Sequence, residues 1–164
     1  MRTDTWPADW PLRLIQLLAV PGLVVAFYLL LYHSGNLIEV CSASGWDDCG
    51  KVSGPDAPYS AIGPVPVALI GLLGYAALFL LIWLKDWIPI LEDNIPELIV
   101  GLTSLALIFS LGLTAIELFV VHAICRFCVI SALIVAIMFL LAVGNLRMSR
   151  TTETTNSDRR MLNS

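Results

Sequence analysis

Uncharged stretches set the pattern of this chain. Four runs contain no Asp, Glu, Lys or Arg: Leu14–Tyr32, Ala57–Leu84, Leu98–Ile116 and Val129–Leu146. A helix crossing about 30 Å of hydrocarbon needs roughly 20 apolar residues, and each run approaches or exceeds that length. The start of the second run reads as loop, because Pro and Tyr crowd it. Four such runs in so short a chain leave no amphipathic helix to cover them in water. The pattern therefore predicts an all-α membrane protein, a four-transmembrane-helix bundle.

The polar segments define the connections. Residues His33 to Gly63 carry Asn, Gly, Asp and Pro at turn-forming density and predict a long loop between the first two spans. Lys85 to Asn94 forms a short link, and only the neighbourhood of His122 to Phe127 separates spans three and four. The expected organisation is an N-terminal segment at 1–11, a membrane domain at 12–146 with its loop at about 33–63, and a tail at 147–164. That tail is rich in Thr, Asn and Arg and is expected to be disordered. No small-residue cleavage site follows the first run, so it is read as a retained span rather than a signal peptide.

Charge orients the bundle. With four spans, both termini and the Lys85–Asn94 link share one side. Arg2, Arg13, Lys85, Arg147, Arg150, Arg159 and Arg160 fall there, against Lys51 and Arg126 opposite. The positive-inside rule then puts both termini in the cytoplasm and the long loop outside, in a cytoplasmic (inner) membrane. Composition agrees: 58% of residues are hydrophobic and 13% charged, where a soluble domain carries about 25% charged. The nine Lys and Arg residues form no basic stripe, so nucleic acid is not an expected partner.

All four cysteines fall on the outer side. Cys41 and Cys49 lie in the long loop; Cys125 and Cys128 begin the fourth span. That compartment permits disulfides. In Cys125-Arg126-Phe127-Cys128, positions i and i+3 share a helix face, so the two sulfurs can meet. A helix N-terminus favours a thiolate there. This arrangement suits an exchangeable dithiol. Cys41 and Cys49 bracket a seven-residue interval containing Gly45. Such a pair is a loop staple or, on a mobile loop facing a second pair, a partner in disulfide exchange. Zinc is disfavoured, because structural zinc sites use two close-spaced ligand pairs in a soluble knuckle; no metal is expected.

Other residues near the cysteines carry possible chemistry. Glu117 lies near the outer end of span three, eight residues before Cys125. An acid in a span is costly, so it is either a proton relay or a group that reaches the interface. His122 is a candidate to polarise a carbonyl oxygen or shuttle a proton, or an interfacial anchor. Arg126 is read as a snorkelling surface residue. Gly71 and Gly74 near Ala68 are expected to pack span two closely against its neighbours, and Pro64 and Pro66 to restrict its entry. Trp6, Trp10, Trp83 and Trp87 read as interface anchors. Trp46 lies in the loop with the solvated Asp47, Asp48 and Lys51.

In combination these motifs resemble the vitamin K epoxide reductase family, over about residues 12 to 146. The resemblance rests on Cys41 with seven residues before Cys49, on Cys49-Gly-Lys-Val, on Gly63-Pro-Val-Pro-Val-Ala-Leu-Ile-Gly-Leu-Leu-Gly-Tyr75, and on Glu117-Leu-Phe-Val-Val-His-Ala-Ile-Cys-Arg-Phe-Cys-Val-Ile-Ser-Ala132. It is nearest to the family's bacterial homologues. The DsbB type of quinone-coupled disulfide generator has the opposite order of cysteine pairs. The resemblance implies that Cys128 reacts with a quinone (ubiquinone, menaquinone or a relative), that Cys125 resolves it and exchanges with Cys49, and that Cys41 meets a thioredoxin-like, DsbA-type partner. Glu117 and His122 join Cys128 as candidate quinone-side residues.

Three departures qualify that resemblance. The family's loop Ser or Thr is matched by Ala57 before Tyr59, with Ser53 and Ser60 as possible substitutes. The vitamin K-binding Asn and Tyr of the animal enzymes are matched approximately by Val67 and Ala132, which favours plain quinone reduction over epoxide reduction. A thioredoxin-like domain, fused after the fourth span in many bacterial members, is replaced here by a polar tail, so a separate partner is expected. The other function class is a non-enzymatic four-span scaffold with static disulfides.

Overall fold

The computed structural model describes residues 10–36, 49–87 and 94–162. Four long apolar helices dominate it, each long and apolar enough to cross a membrane. The first, α1 (Trp10–His33), is followed after the undescribed part of the loop by a single short helix, α2 (Cys49–Ser53). Strands β1 (Ala61–Ile62) and β2 (Val65–Pro66) then form a small antiparallel hairpin, with Ala61 opposite Pro66 and Ile62 opposite Val65. Gly63 opens its two-residue turn with φ +62°, a backbone conformation that glycine adopts without a Cβ penalty.

Pro66 ends that hairpin and caps α3 (Val67–Lys85). Its fixed φ and extended ψ deliver the chain directly into the helix. Helix α4 (Ile95–Ile116) begins with Pro near its N-terminus and Glu97 in its first turn. Both suit the unpaired N–H groups and positive dipole of a helix start. Its last turn widens into a π-helical turn, Glu117–Val121. After a four-residue link, α5 runs from Arg126 to Leu162.

The bundle is apolar outside as well as inside. Leu17, Leu105, Ile108, Leu111 and Leu140 are all more than 60% exposed. Water would penalise that surface, whereas lipid tails do not. Helix α1 packs against α3 and α5, and α4 packs against α5. Ile15, Ile82, Ile95, Ile99 and Met138 form the centre of the main core, towards the end of the bundle that holds Trp10 and Lys85. The same end is tied by Arg13–Asp86 at 2.9 Å and Arg150–Glu97 at 3.3 Å. A second, smaller core at the other end is built on Leu29, Cys49 and Cys125.

Two expectations are corrected here. Helix α5 does not stop at Leu146; residues 147–162 of the expected disordered tail continue it. No Gly or Pro interrupts that stretch. Ser149, Thr151 and Thr154 donate to carbonyls one turn back, and Arg150 reaches across to Glu97. The close approach expected at Gly71 and Gly74 lies elsewhere. Nothing stands within 4 Å of a Cβ added at Gly74, and at Gly71 the nearest atom is Ala26 Cβ at 3.9 Å. The tight site is Gly22 on α1, where an added Cβ would run into the Tyr75 ring. Gly54 closes α2: its N–H donates to the Gly50 carbonyl at 3.0 Å, and a Cβ there would collide with that oxygen. Trp10, Trp83 and Trp87 are exposed at one end of the bundle; Trp6 and Trp46 lie outside the described residues.

Candidate thiol and ligand site

The outer core forms around sulfur. Cys49 begins α2, which lies over the bundle, and is 2% exposed. Cys125 precedes α5 and is fully buried. Their sulfurs are 3.5 Å apart, with the Cys125 thiol donating to Cys49 Sγ. Cys49 is held in a disulfide, whereas Cys125 and Cys128 are free thiols. Cys41 lies outside the described residues, as do Gly45, Asp47 and Asp48. Phe127, inside the Cys-x-x-Cys, stacks obliquely on Tyr28 of α1, with centroids 5.0 Å apart and planes at 48°. That contact holds the start of α5 against α1.

Glu117 explains how the turn before Cys125 is held. It is 4% exposed, and its Oε2 accepts from the Cys125 backbone N–H at 3.3 Å. This N–H stands at the mouth of α5, where no helical carbonyl is available to it. The π turn beginning at Glu117 buries the carboxyl group while Leu118, Phe119 and Val120 stay exposed. An acid merely reaching the interface would not be buried, so that alternative is set aside.

His122 lies at the surface of the bundle. It is exposed, adopts φ +53°, and its Nδ1 lies 3.2 Å from the Val120 carbonyl. Its backbone provides the left-handed step that turns the chain from the π turn towards α5. It is not among the residues lining the cavity described below.

The Cys125 thiol is held below its ordinary value. The chief cause is the hydrogen bond from the Cys128 side chain, aided by the backbone amides of Cys128 and Phe127; burial and the Glu117 charge act against it. These amides are the free donors of a helix start, which stabilise an anion.

Cys128 faces inward, onto a cavity of about 360 Å³ between the helices. Helices α1, α3, α4 and α5 form its walls, and Val52, Ser53, Tyr59 and Ser60 close it from the loop side. Most of the lining is apolar, through residues such as Ala68, Leu78, Phe109 and Val135. Ser53 Oγ stands 3.8 Å from Cys128 Sγ, while Ser60 donates to the Ala57 carbonyl at 2.8 Å. Of the two possible loop hydroxyls, Ser53 is thus the one beside sulfur. Deeper in, Tyr75 Oη and Ser131 Oγ pair at 2.8 Å.

A scan against protein-family models matches residues 13–143 to the vitamin K epoxide reductase family. The chain belongs to that family. Its four apolar helices and this membership make it a multi-pass membrane oxidoreductase. Members use a quinone or vitamin K as electron acceptor or substrate and generally work with thioredoxin-like partners. Comparison with curated protein sequences returns no match. Among the described residues no group of three His, Cys, Asp or Glu could hold a metal ion.

Sequence reasoning missed His33, Tyr75 and Ser131, which all line the cavity. Each is a polar residue in or at the end of an apolar span, a weak signal that only the facing of the helices resolves. Val67 also lines it, offering no side-chain hydrogen bond; Ala132 is not among the lining residues, and its neighbour Ser131 is.

Proposed function

We propose that this protein is a quinone-dependent thiol–disulfide oxidoreductase, which oxidises a thioredoxin-like partner outside the cytoplasmic membrane. The observation that carries the reading is one continuous path: Cys49 Sγ 3.5 Å from Cys125 Sγ, and Cys128 of the same Cys-x-x-Cys facing an apolar cavity. That cavity fits a quinone ring in size and character, since small-molecule pockets are about 300–1,000 Å³, mostly apolar, with few polar groups. A quinone bound there would supply a two-electron, two-proton acceptor.

The chain's own residues then act in order. Cys41 receives the partner's electrons by disulfide exchange, leaving the partner oxidised and Cys41 and Cys49 reduced. The Cys49 thiolate attacks Cys125 in the Cys125–Cys128 disulfide, which forms Cys49–Cys125 and releases the Cys128 thiolate. Cys41 next attacks Cys49, re-forming Cys41–Cys49 and releasing the Cys125 thiolate. Its lowered pKa makes it a good leaving group. Re-forming Cys125–Cys128 gives up two electrons to the acceptor in the cavity. The balance is one dithiol oxidised to disulfide and one quinone reduced to quinol. Ser53 stabilises charge on Cys128, and Glu117 holds Cys125 in place and offers a carboxyl group for proton transfer beside the sulfurs.

Within this reading, residues 12–146 are the redox domain, both termini are cytoplasmic, and the loop lies outside. Val67 in the cavity wall favours simple quinones over an epoxide. The deciding experiment is anaerobic mixing of fully reduced protein with ubiquinone and menaquinone analogues. Two quinols should form per protein, one for each of the Cys41–Cys49 and Cys125–Cys128 disulfides. Absence of quinol with every acceptor, while the cysteines stay reduced, overturns the reading in favour of a static scaffold.

A further inference from the structure

Among the described residues, the only buried side-chain nitrogen or oxygen with no hydrogen-bond partner is His33 Nδ1. His33 is the last residue of α1, and it lines the same cavity as Cys128 and Ser53. Buried polar atoms are almost always paired, because an unpaired one forfeits its hydration with no return. Several other polar groups on the cavity wall are already committed. Ser60 donates to Ala57, Thr103 to Ile99, and Thr114 to Ser110, while Tyr75 and Ser131 pair with each other. His33 therefore holds the unmet hydrogen-bonding capacity at the loop end of a cavity that is otherwise mostly apolar.

We propose that His33 Nδ1 is the hydrogen-bond partner of a carbonyl oxygen of the quinone, fixing the headgroup beneath the loop. This rests on the quinone-reductase reading. A quinone is apolar apart from two carbonyl acceptors, which matches a largely apolar cavity with one unspent ring nitrogen. The chemistry suits both redox states. With a proton on Nδ1, the imidazole donates to the quinone carbonyl; in the other tautomer Nδ1 accepts from the quinol hydroxyl. His33 thus binds the substrate from a different helix than the cysteines: it belongs to α1, and Cys128 belongs to α5.

The test is steady-state kinetics of the full chain in nanodiscs, with dithiothreitol as donor and a short-chain ubiquinone as acceptor. His33→Leu should raise the quinone KM about tenfold, the worth of one hydrogen bond of typical strength, and leave the dithiothreitol KM unchanged. His33→Asn carries an amide near the position of Nδ1 and should restore the quinone KM; His33→Gln, whose amide falls nearer the position of Nε2, should not. Infrared difference spectra of carbonyl-labelled ubiquinone give an independent signature. The wild type should lower one carbonyl stretch, and His33→Leu should return it to the free value. If His33→Leu does not fold, the Asn and Gln variants decide by the same KM comparison. Turnover by wild type with no change of quinone KM or carbonyl stretch in the variants overturns the role of His33 alone. Wild type that reduces no quinone overturns the parent reading, and this proposal with it.

Discussion

At the scale of single residues, the two thiols of the Cys-x-x-Cys are made unequal by their surroundings. Cys125 sits before the first turn of α5, where Cys128 and two backbone amides donate to its sulfur and lower its pKa. A group held low stays ionised to lower pH. In a variant lacking Cys41 and Cys49, the first thiolate absorbance step near 240 nm should therefore fall below the ordinary thiol value of 9.0. Exchange at Cys125 should accelerate as pH rises to that midpoint and level off above it; a single step at or above 9.0 would remove the proposed asymmetry. The relay predicts a second contrast. Cys128→Ser should abolish quinone reduction from any donor. Cys41→Ser should retain turnover with dithiothreitol, which reduces Cys125–Cys128 directly. Equal loss in both variants, measured as quinol formation, would sink the division of roles.

Between elements, the contact that matters most for function is that of α2 with the start of α5. Cys49 and Cys125 need to close by only about 1.5 Å to reach a disulfide length near 2.05 Å. The double variant Cys41→Ser, Cys128→Ser, which lacks both resolving thiols, should accumulate the Cys49–Cys125 bond. Non-reducing peptide mapping checks this, and free thiols at both positions would mark the loop pair as a staple. Packing within the bundle gives a separate test. Gly22→Ala should lower stability by about 1–3 kcal/mol, because its methyl group meets the Tyr75 ring. The ring would also be pushed from Ser131, so thermal unfolding in detergent and quinone KM should shift together. Gly74→Ala, with open space before it, should move the melting temperature far less.

For the whole molecule, the described helix ends that are predicted to be cytoplasmic meet at one end. Arg13 pairs with Asp86, and Arg150 with Glu97, so the start of α1, the end of α3, the start of α4 and the C-terminal part of α5 stand together. Cys49, Cys125 and Cys128 stand at the other end. Reporter fusions at Ser164 should be active only with a cytoplasmic reporter. Activity of a periplasmic reporter there would reverse the orientation and place the cysteines on the reducing, cytoplasmic side.

The amino-acid sequence alone determined the number of spans, their approximate limits and the sorting of cysteines to one side. Each of these follows from hydrophobic length and charge counting, which depend on composition along the chain and not on which helix touches which. The i, i+3 spacing of Cys125 and Cys128 was legible for the same reason. Only tertiary structure decided which polar residues share a cavity. His33 and Cys128 come from opposite ends of the sequence, and His122, beside the motif, turns away from it because of one left-handed backbone step. Glu117 was visible as a costly acid, but its partner was not, since the π turn re-aims it at the Cys125 amide. Nor did the polar composition of residues 147–162 reveal that α5 continues through them, with Arg150 reaching across to Glu97. Facing and pairing are set when helices pack, and a linear pattern of polarity carries them only weakly.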